Sequence, residues 1–94
     1  MMTYKPFELN SGYFSETMRI CRNLKYLKEK TKLSYRKLSK VLGFKDKTLL
    51  NYVYGCTRPK PERLRIIAEY FGIENIEDFC LDEAVFAKRY PIKD

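Results

Sequence analysis

Few side chains in this sequence are equipped for catalysis. The 94 residues contain no histidine, which excludes imidazole both as a general base and as a metal ligand. The three cysteines, Cys21, Cys56 and Cys80, are far apart and form no CxxC pair, which argues against a disulfide framework or zinc site and favours a reducing compartment. Cys21 and Cys80 have apolar neighbours and are expected in the core, whereas Cys56 lies in a predicted loop without a base nearby. We therefore expect no enzymatic activity, no metal and no cofactor.

The distribution of charge is more informative than the reactive side chains. The net charge is +7, and residues 17–65 carry 15 Lys and Arg against only three acidic residues. Residues 66–94 carry three basic and seven acidic side chains. This separation predicts a polyanionic partner on one side of the molecule, although a lysine-rich surface that serves only solubility would give the same counts.

Apolar residues recur at three- and four-residue spacing along most of the chain, which predicts helices. The first helix is expected to start near Ser15 or Thr17, either of which can cap it, and to end near residues 30–32. Ser34 is expected to cap the second helix, and Gly43 to end it. The spacing predicts further helices over 46–54, 61–71 and 76–81, with an extension over 84–90. The fold class is therefore all-α with five helices, and the expected inner-face residues include Ile20, Leu24, Leu27, Leu38, Val41, Leu42, Phe44, Leu49, Tyr52, Leu64, Ile67, Ala68 and Phe71.

Both ends of the chain are expected to serve contacts rather than form the core. Residues 1–14 contain Pro6, Asn10 and Gly12, which resist regular structure, together with several large apolar side chains. They predict an N-terminal arm that packs on the body or on a second subunit. The domain itself is expected to span 15–81, and 82–94 to form a C-terminal extension that offers a dimer contact. The sequence shows neither a signal peptide nor an apolar run of the roughly 18 residues that span a membrane, so a cytoplasmic protein without membrane contact is expected.

The second and third predicted helices, joined by a tight turn, have the layout of a helix-turn-helix. The residues around them resemble the phage-repressor (Cro-like, XRE-type) helix-turn-helix family from Asn23 to Phe79. The matching features are Leu24 and Leu27, Leu33-Ser34, Leu38, Leu42-Gly43-Phe44, Leu49, Asn51-Tyr52, Gly55, Arg58-Pro59, Leu64, Ile67-Ala68, and Phe71-Gly72-Ile73 followed by Ile76 to Phe79.

This resemblance implies a five-helix DNA-binding domain whose third helix lies in the major groove. The residues implied to face the bases are Lys47, Asn51, Thr48, Asp46 and Leu50. Lys47 can donate to guanine, Asn51 can pair with adenine, and Asp46 can accept from cytosine N4, although Asp46 is equally suited to cap the helix and the cap is preferred. Contacts to phosphate are implied for Ser34, Tyr35, Arg36, Tyr54, Arg58 and Lys60, whereas Lys25, Lys28 and Lys30 are expected to be solvated surface charges.

Two departures from the family pattern lead to a second hypothesis. Tyr35 occupies a position where the family often has a glutamine that bridges a phosphate and the third helix. Leu50, Val53 and Tyr54 replace residues that are usually polar, and the spacing predicts that Leu50 and Val53 point outward. Exposed apolar side chains suit protein contact better than DNA contact.

The first hypothesis is thus a sequence-specific transcriptional regulator that binds double-stranded DNA as a homodimer, most simply a phage or mobile-element repressor. The alternative is a helix-turn-helix module used for protein binding, such as an antirepressor, a phage-encoded inhibitor or an adaptor, with Leu50, Val53 and Tyr54 at its partner surface. In that case, Leu50→Asp would abolish a protein complex, whereas charge reversal at Arg58 and Lys60 would not. A tyrosine nucleophile is the enzymatic alternative, but the chain is short for a catalytic domain.

Overall fold

The computed structural model of the chain describes residues 11–55 and 57–91. This part of the chain contains five α-helices, one 3-10 helix and no strand, which confirms the expected all-α fold. The expectations for residues 1–10 of the arm and for Cys56 lie outside the described residues. The helices are α1 (Ser11–Thr31), α2 (Tyr35–Val41), α3 (Thr48–Val53), α4 (Pro61–Phe71), the 3-10 helix η1 (Ile76–Cys80) and α5 (Glu83–Arg89).

The long helix α1 organises the core, because α3, η1 and α5 all pack against it. Its inner face repeats every three to four residues through Ile20, Leu24 and Leu27, each no more than 2% exposed. Cys21 is also buried, as expected, whereas Cys80 is only half-buried at the edge of the core. Burial raises the pKa of the Cys80 thiol, which disfavours the thiolate form.

Helix α1 starts at Ser11, earlier than the expected start near Ser15 or Thr17. Both of those residues therefore lie within the helix and do not cap it. Thr17 instead bonds to Arg58, which donates to the Thr17 hydroxyl over 3.2 Å. The helix can extend past Gly12 at little cost, because the first-turn N–H groups have no intrahelical partner in any case.

The turn between α2 and α3 is held by hydrogen bonds at both of its ends. Ser34 caps α2 as expected, since its hydroxyl accepts from the Lys37 amide over 3.1 Å. Gly43 follows α2 at φ +81°, a left-handed conformation that glycine adopts without strain. The fully buried Ser39 lies inside α2, and its hydroxyl accepts from the Leu49 amide over 3.2 Å. One side chain of α2 therefore satisfies an amide in the first turn of α3 and fixes the geometry of the helix pair.

Ser39→Ala is expected to lower the free energy of unfolding by about 1–2 kcal/mol, because it leaves the buried Leu49 amide without its acceptor. Urea denaturation followed by circular dichroism measures this loss. Ser15→Ala, at an exposed position within α1, is the matched control and should change the free energy by less than about 0.5 kcal/mol. Equal effects of the two substitutions would contradict the role given to Ser39.

Val41 was expected on the inner face of α2, but this prediction is wrong. Its side chain is 53% exposed, whereas Leu38 and Leu42 are buried. The inner face of α2 is centred between Leu38 and Ser39, and at about 100° per residue Val41 falls about 110°, nearly a third of a turn, away from it. The inner face of α2 therefore includes a buried serine, Ser39, which apolar periodicity alone does not reveal.

The core continues past Leu81, where the domain was expected to end. The expected fifth helix is the short η1, and its expected extension is a separate helix, α5, capped by the Asp82 carboxylate. Phe86 of α5 is fully buried and stacks on Phe79 of η1 with ring centroids 5.8 Å apart. Its ring also meets the edge of Tyr26 of α1 at 6.0 Å. Helix α5 is therefore part of the domain core.

Polar contacts also tie the C-terminal elements to α1. The buried Asn23 amide donates to the carbonyls of Phe79 and Leu81, each over 2.8 Å. The Tyr26 hydroxyl donates to the Tyr90 carbonyl over 2.9 Å. The Tyr90 hydroxyl in turn donates to the Asp78 carboxylate and accepts from the Glu74 amide.

Tyr90→Phe is expected to lower the free energy of unfolding by about 1 kcal/mol at pH 7, because it removes the bond to Asp78. Burial and this bond raise the pKa of Tyr90 above its ordinary value of 10.0. The stabilisation is therefore complete below pH 10 and is lost as the pH rises through the raised pKa. Urea denaturation at several pH values should show the wild type and the variant converging above pH 10, whereas a constant difference would contradict this account.

Candidate DNA-binding surface

One face of α3 points away from the core and carries the side chains that the sequence analysis assigned to base reading. Leu49, Tyr52 and Val53 are buried. The opposite face presents Lys47 and Asn51, both exposed, with Thr48 and Leu50 half-buried on either side. We call Lys47, Thr48, Leu50 and Asn51 the recognition face. Hydrogen-bond donors and acceptors lie at its centre, and apolar groups lie at its margins.

Asp46 does not cap α3, contrary to the preferred expectation. The helix starts at Thr48, and Lys47 occupies the cap position without a side-chain capping bond. The Asp46 carboxylate instead pairs with Arg36 of α2, with 3.1 Å between the Arg36 Nε and an Asp46 oxygen. Both side chains are largely exposed, so the pair contributes little to stability. It does place an arginine from the first turn of α2 beside the start of the recognition face.

The apolar surface expected on α3 is smaller than the sequence predicted. Val53, expected to point outward, is only 8% exposed, because it follows Leu49 by four residues and lies on the same inner face. Leu50 is half-buried, and only Tyr54 is widely exposed, at 70%. The continuous apolar patch on which the protein-binding hypothesis depended is therefore absent from this part of the described chain.

Tyr35 and Tyr54, two of the expected phosphate contacts, lie together. Their ring centroids are 6.4 Å apart, which joins the start of α2 to the end of α3. The Lys28 ammonium of α1 lies 4.4 Å from the centroid of the Tyr35 ring. Burial, followed by the proximity of Tyr54 and Glu29, raises the pKa of Tyr35, so its hydroxyl remains a donor at neutral pH.

The other expected phosphate contacts are more dispersed. The Ser34 hydroxyl is engaged in capping α2. Arg58 pairs with Glu16 over 3.1 Å and bonds to Thr17, so the structure ties it to α1. Lys60 is exposed at the cap position of α4, where Pro61 occupies the first helical position as expected.

A helix-turn-helix family model matches residues 24–78, which is more than half of the chain. The chain belongs to this helix-turn-helix family. The matched region begins within α1 and ends within η1, so it includes the α2–α3 pair and the recognition face. Membership indicates a DNA-binding regulator and confirms the resemblance found in the sequence.

No curated protein sequence and no solved structure matches the chain significantly. Among the described residues, no helix is long and apolar enough to cross a membrane.

The structure adds two cations that sequence reasoning did not place on this side of the helix-turn-helix. Lys28 was expected to be a solvated charge but lies over Tyr35. Arg63, in the first turn of α4, lies over the ring of Phe44 with 4.8 Å between the guanidinium carbon and the ring centroid. It also lines a surface cavity of about 210 Å³, together with Thr48, Asn51, Tyr52 and Thr57. Neither contact follows from helical periodicity, because each joins residues on separate helices or turns.

Proposed function

We propose that the protein binds double-stranded DNA in a sequence-specific manner and acts as a transcriptional repressor of the phage or mobile-element type. The observation that carries the proposal is the recognition face. Lys47 and Asn51 are exposed on the side of α3 opposite the core, within a helix-turn-helix and within the basic segment of the chain. This arrangement suits a helix that lies in the major groove.

Each side chain of the recognition face suits a particular base edge. Lys47 suits the O6 and N7 acceptors of guanine, and the Asn51 amide suits the N6 and N7 atoms of adenine. Leu50 and the methyl group of Thr48 suit the methyl group of thymine. Asp46 suits the N4 donor of cytosine, since its carboxylate does not cap α3 and can accept from a base with the oxygen that is not paired with Arg36.

The proposed phosphate contacts surround this face and position the protein without reading sequence. Tyr35 and Tyr54 form a paired hydroxyl-bearing surface, and Arg36 and Lys60 are exposed cations. Ser34 precedes the first turn of α2, and the backbone amides of a first turn suit a phosphate oxygen. Arg58 fits this role only if its guanidinium also reaches a phosphate while it is held by Glu16 and Thr17.

We further propose that the protein acts as a homodimer on a palindromic site, which is the usual arrangement for this motif. The observation that supports a dimer contact through α5, in the acidic C-terminal region, is the apolar side chain of Val85. It lies on the outer face of this helix and is 49% exposed. Light scattering tests this proposal directly. A mass of twice 11.3 kDa is expected, and a monomer at the concentrations that saturate DNA would contradict it.

Lys47→Glu is expected to weaken binding to a selected duplex by more than about a hundredfold, because it replaces a base-reading cation with a charge that the phosphates repel. Lys25→Glu is the matched control, since it makes the same change in net charge at an exposed position of α1. Fluorescence anisotropy measures both affinities. Equal losses would show a nonspecific effect of charge and would contradict the proposed recognition face.

The protein-binding alternative keeps Tyr54 and Leu50 but loses Val53 to the core. Its remaining support is the 70% exposure of Tyr54. Charge reversal at Arg58 and Lys60 distinguishes the two proposals: it should leave a partner complex formed through Tyr54 and Leu50 intact, whereas it should weaken duplex binding.

A further inference from the structure

Arg63 lies at the edge of the recognition face and contacts an aromatic ring of the core. The guanidinium lies over the ring of Phe44, which is itself only 7% exposed and held in the core. A cation–π contact of this kind restrains the guanidinium, whose N–H groups are the donors with which arginine binds phosphate. The residue is otherwise exposed, so the guanidinium is accessible to solvent.

The cavity beside Arg63 collects further hydrogen-bonding groups from two more parts of the chain. Thr48 and Asn51 form its wall on α3, and Thr57 contributes a hydroxyl from the loop that follows α3. Tyr52, buried beneath them, forms the remaining wall. One fixed cation, two hydroxyls and one amide suit an anion with several acceptor oxygens. The volume of about 210 Å³ is ample for a phosphate group.

The position of the cavity favours a phosphate of the DNA backbone over a base. A helix with its side chains is about 10–12 Å wide and fills the major groove, which is about 12 Å wide. A side chain that lies beside α3 but belongs to another helix therefore meets the wall of the groove, where the phosphates are.

We propose that this cavity binds one phosphodiester group of the DNA and that Arg63 is its principal ligand. The inference rests on the proposed function and adds to it a contact that fixes the register of the recognition face. Because Thr48 and Asn51 belong both to the cavity and to that face, the bound phosphate would lie directly next to the base pair that Asn51 reads.

The test compares Arg63→Gln with Arg65→Gln on a duplex selected by the wild type. Arg65 is the matched control, because it is exposed on the same helix but lines a different groove with Glu69 and Glu74. Arg63→Gln is expected to weaken binding about tenfold and to reduce the slope of log affinity against log salt by about 1, with unchanged base preferences. Arg63→Lys should restore most of the slope, since it keeps the charge.

Several results would overturn the inference. If Arg63→Gln loses no more affinity than Arg65→Gln while both proteins show equal circular dichroism, the cavity does not hold a phosphate. A changed base preference at one position would make Arg63 a base reader instead. Inorganic phosphate should compete for the same cavity, so equal inhibition of the wild type and of Arg63→Gln by sodium phosphate, relative to sodium chloride of equal ionic strength, would also contradict the inference. Absence of duplex binding by the wild type would contradict the proposed function itself, which separates that failure from the others.

Discussion

Phe86→Ala is expected to lower the free energy of unfolding by about 3–5 kcal/mol. The side chain is fully buried between Phe79 and Tyr26, so its removal leaves a cavity that joins α5, η1 and α1. A loss of this size is a large part of the stability of a small domain. Urea denaturation of the variant should therefore show a much lower midpoint or a population that is unfolded without urea.

The matched control is Val41→Ala, which truncates an apolar side chain that is 53% exposed. It should change the free energy of unfolding by less than about 0.5 kcal/mol. The pair tests two of the corrections that the structure makes to the predicted core. A neutral Phe86→Ala would mean that α5 is an appendage, and a costly Val41→Ala would mean that Val41 belongs to the core.

Asn51→Ala is expected to weaken binding to the selected duplex by about 5- to 160-fold for each half-site and to relax the preference for adenine at one position of each half-site. In the proposed complex the amide makes two hydrogen bonds to adenine that alanine cannot replace, which corresponds to about 1–3 kcal/mol of discrimination. Selection of duplexes from a random pool by the variant measures the change in preference, and fluorescence anisotropy measures the affinity.

Asn75→Ala controls for the loss of an exposed asparagine elsewhere, since Asn75 precedes η1 and makes no capping bond with its side chain. It should bind and select as the wild type does. If Asn51→Ala weakens all duplexes equally and leaves the base preferences unchanged, Asn51 contacts the backbone and does not read a base.

Local sequence signals predicted the helices well where each signal acts within one helix. The Ser34 cap, the Gly43 terminus and the Pro61 start all depend on the backbone of a single helix, and the structure places each as expected. The errors occur where tertiary contacts decide. Val41 is exposed because the buried Ser39 shifts the inner face of α2. Phe86 is buried because three helices converge around it.

The recognition face was predictable because the motif fixes which residues of α3 lie opposite the core. Lys47 and Asn51 are exposed as the resemblance implied. The ionic and aromatic contacts around them were not predictable, because they join distant parts of the chain. Asp46 pairs with Arg36 instead of capping α3, and Arg63 lies over Phe44 beside the cavity. Sequence spacing carries no signal for either contact.

Selection of duplexes from a random pool, followed by a salt titration of the selected sequence, tests the proposed function most directly. We expect one enriched palindromic sequence whose affinity falls by at least about a hundredfold between 50 and 200 mM salt, as about four phosphate contacts require. Failure to enrich any duplex, or enrichment without dependence on salt, would contradict sequence-specific DNA binding by this helix-turn-helix protein.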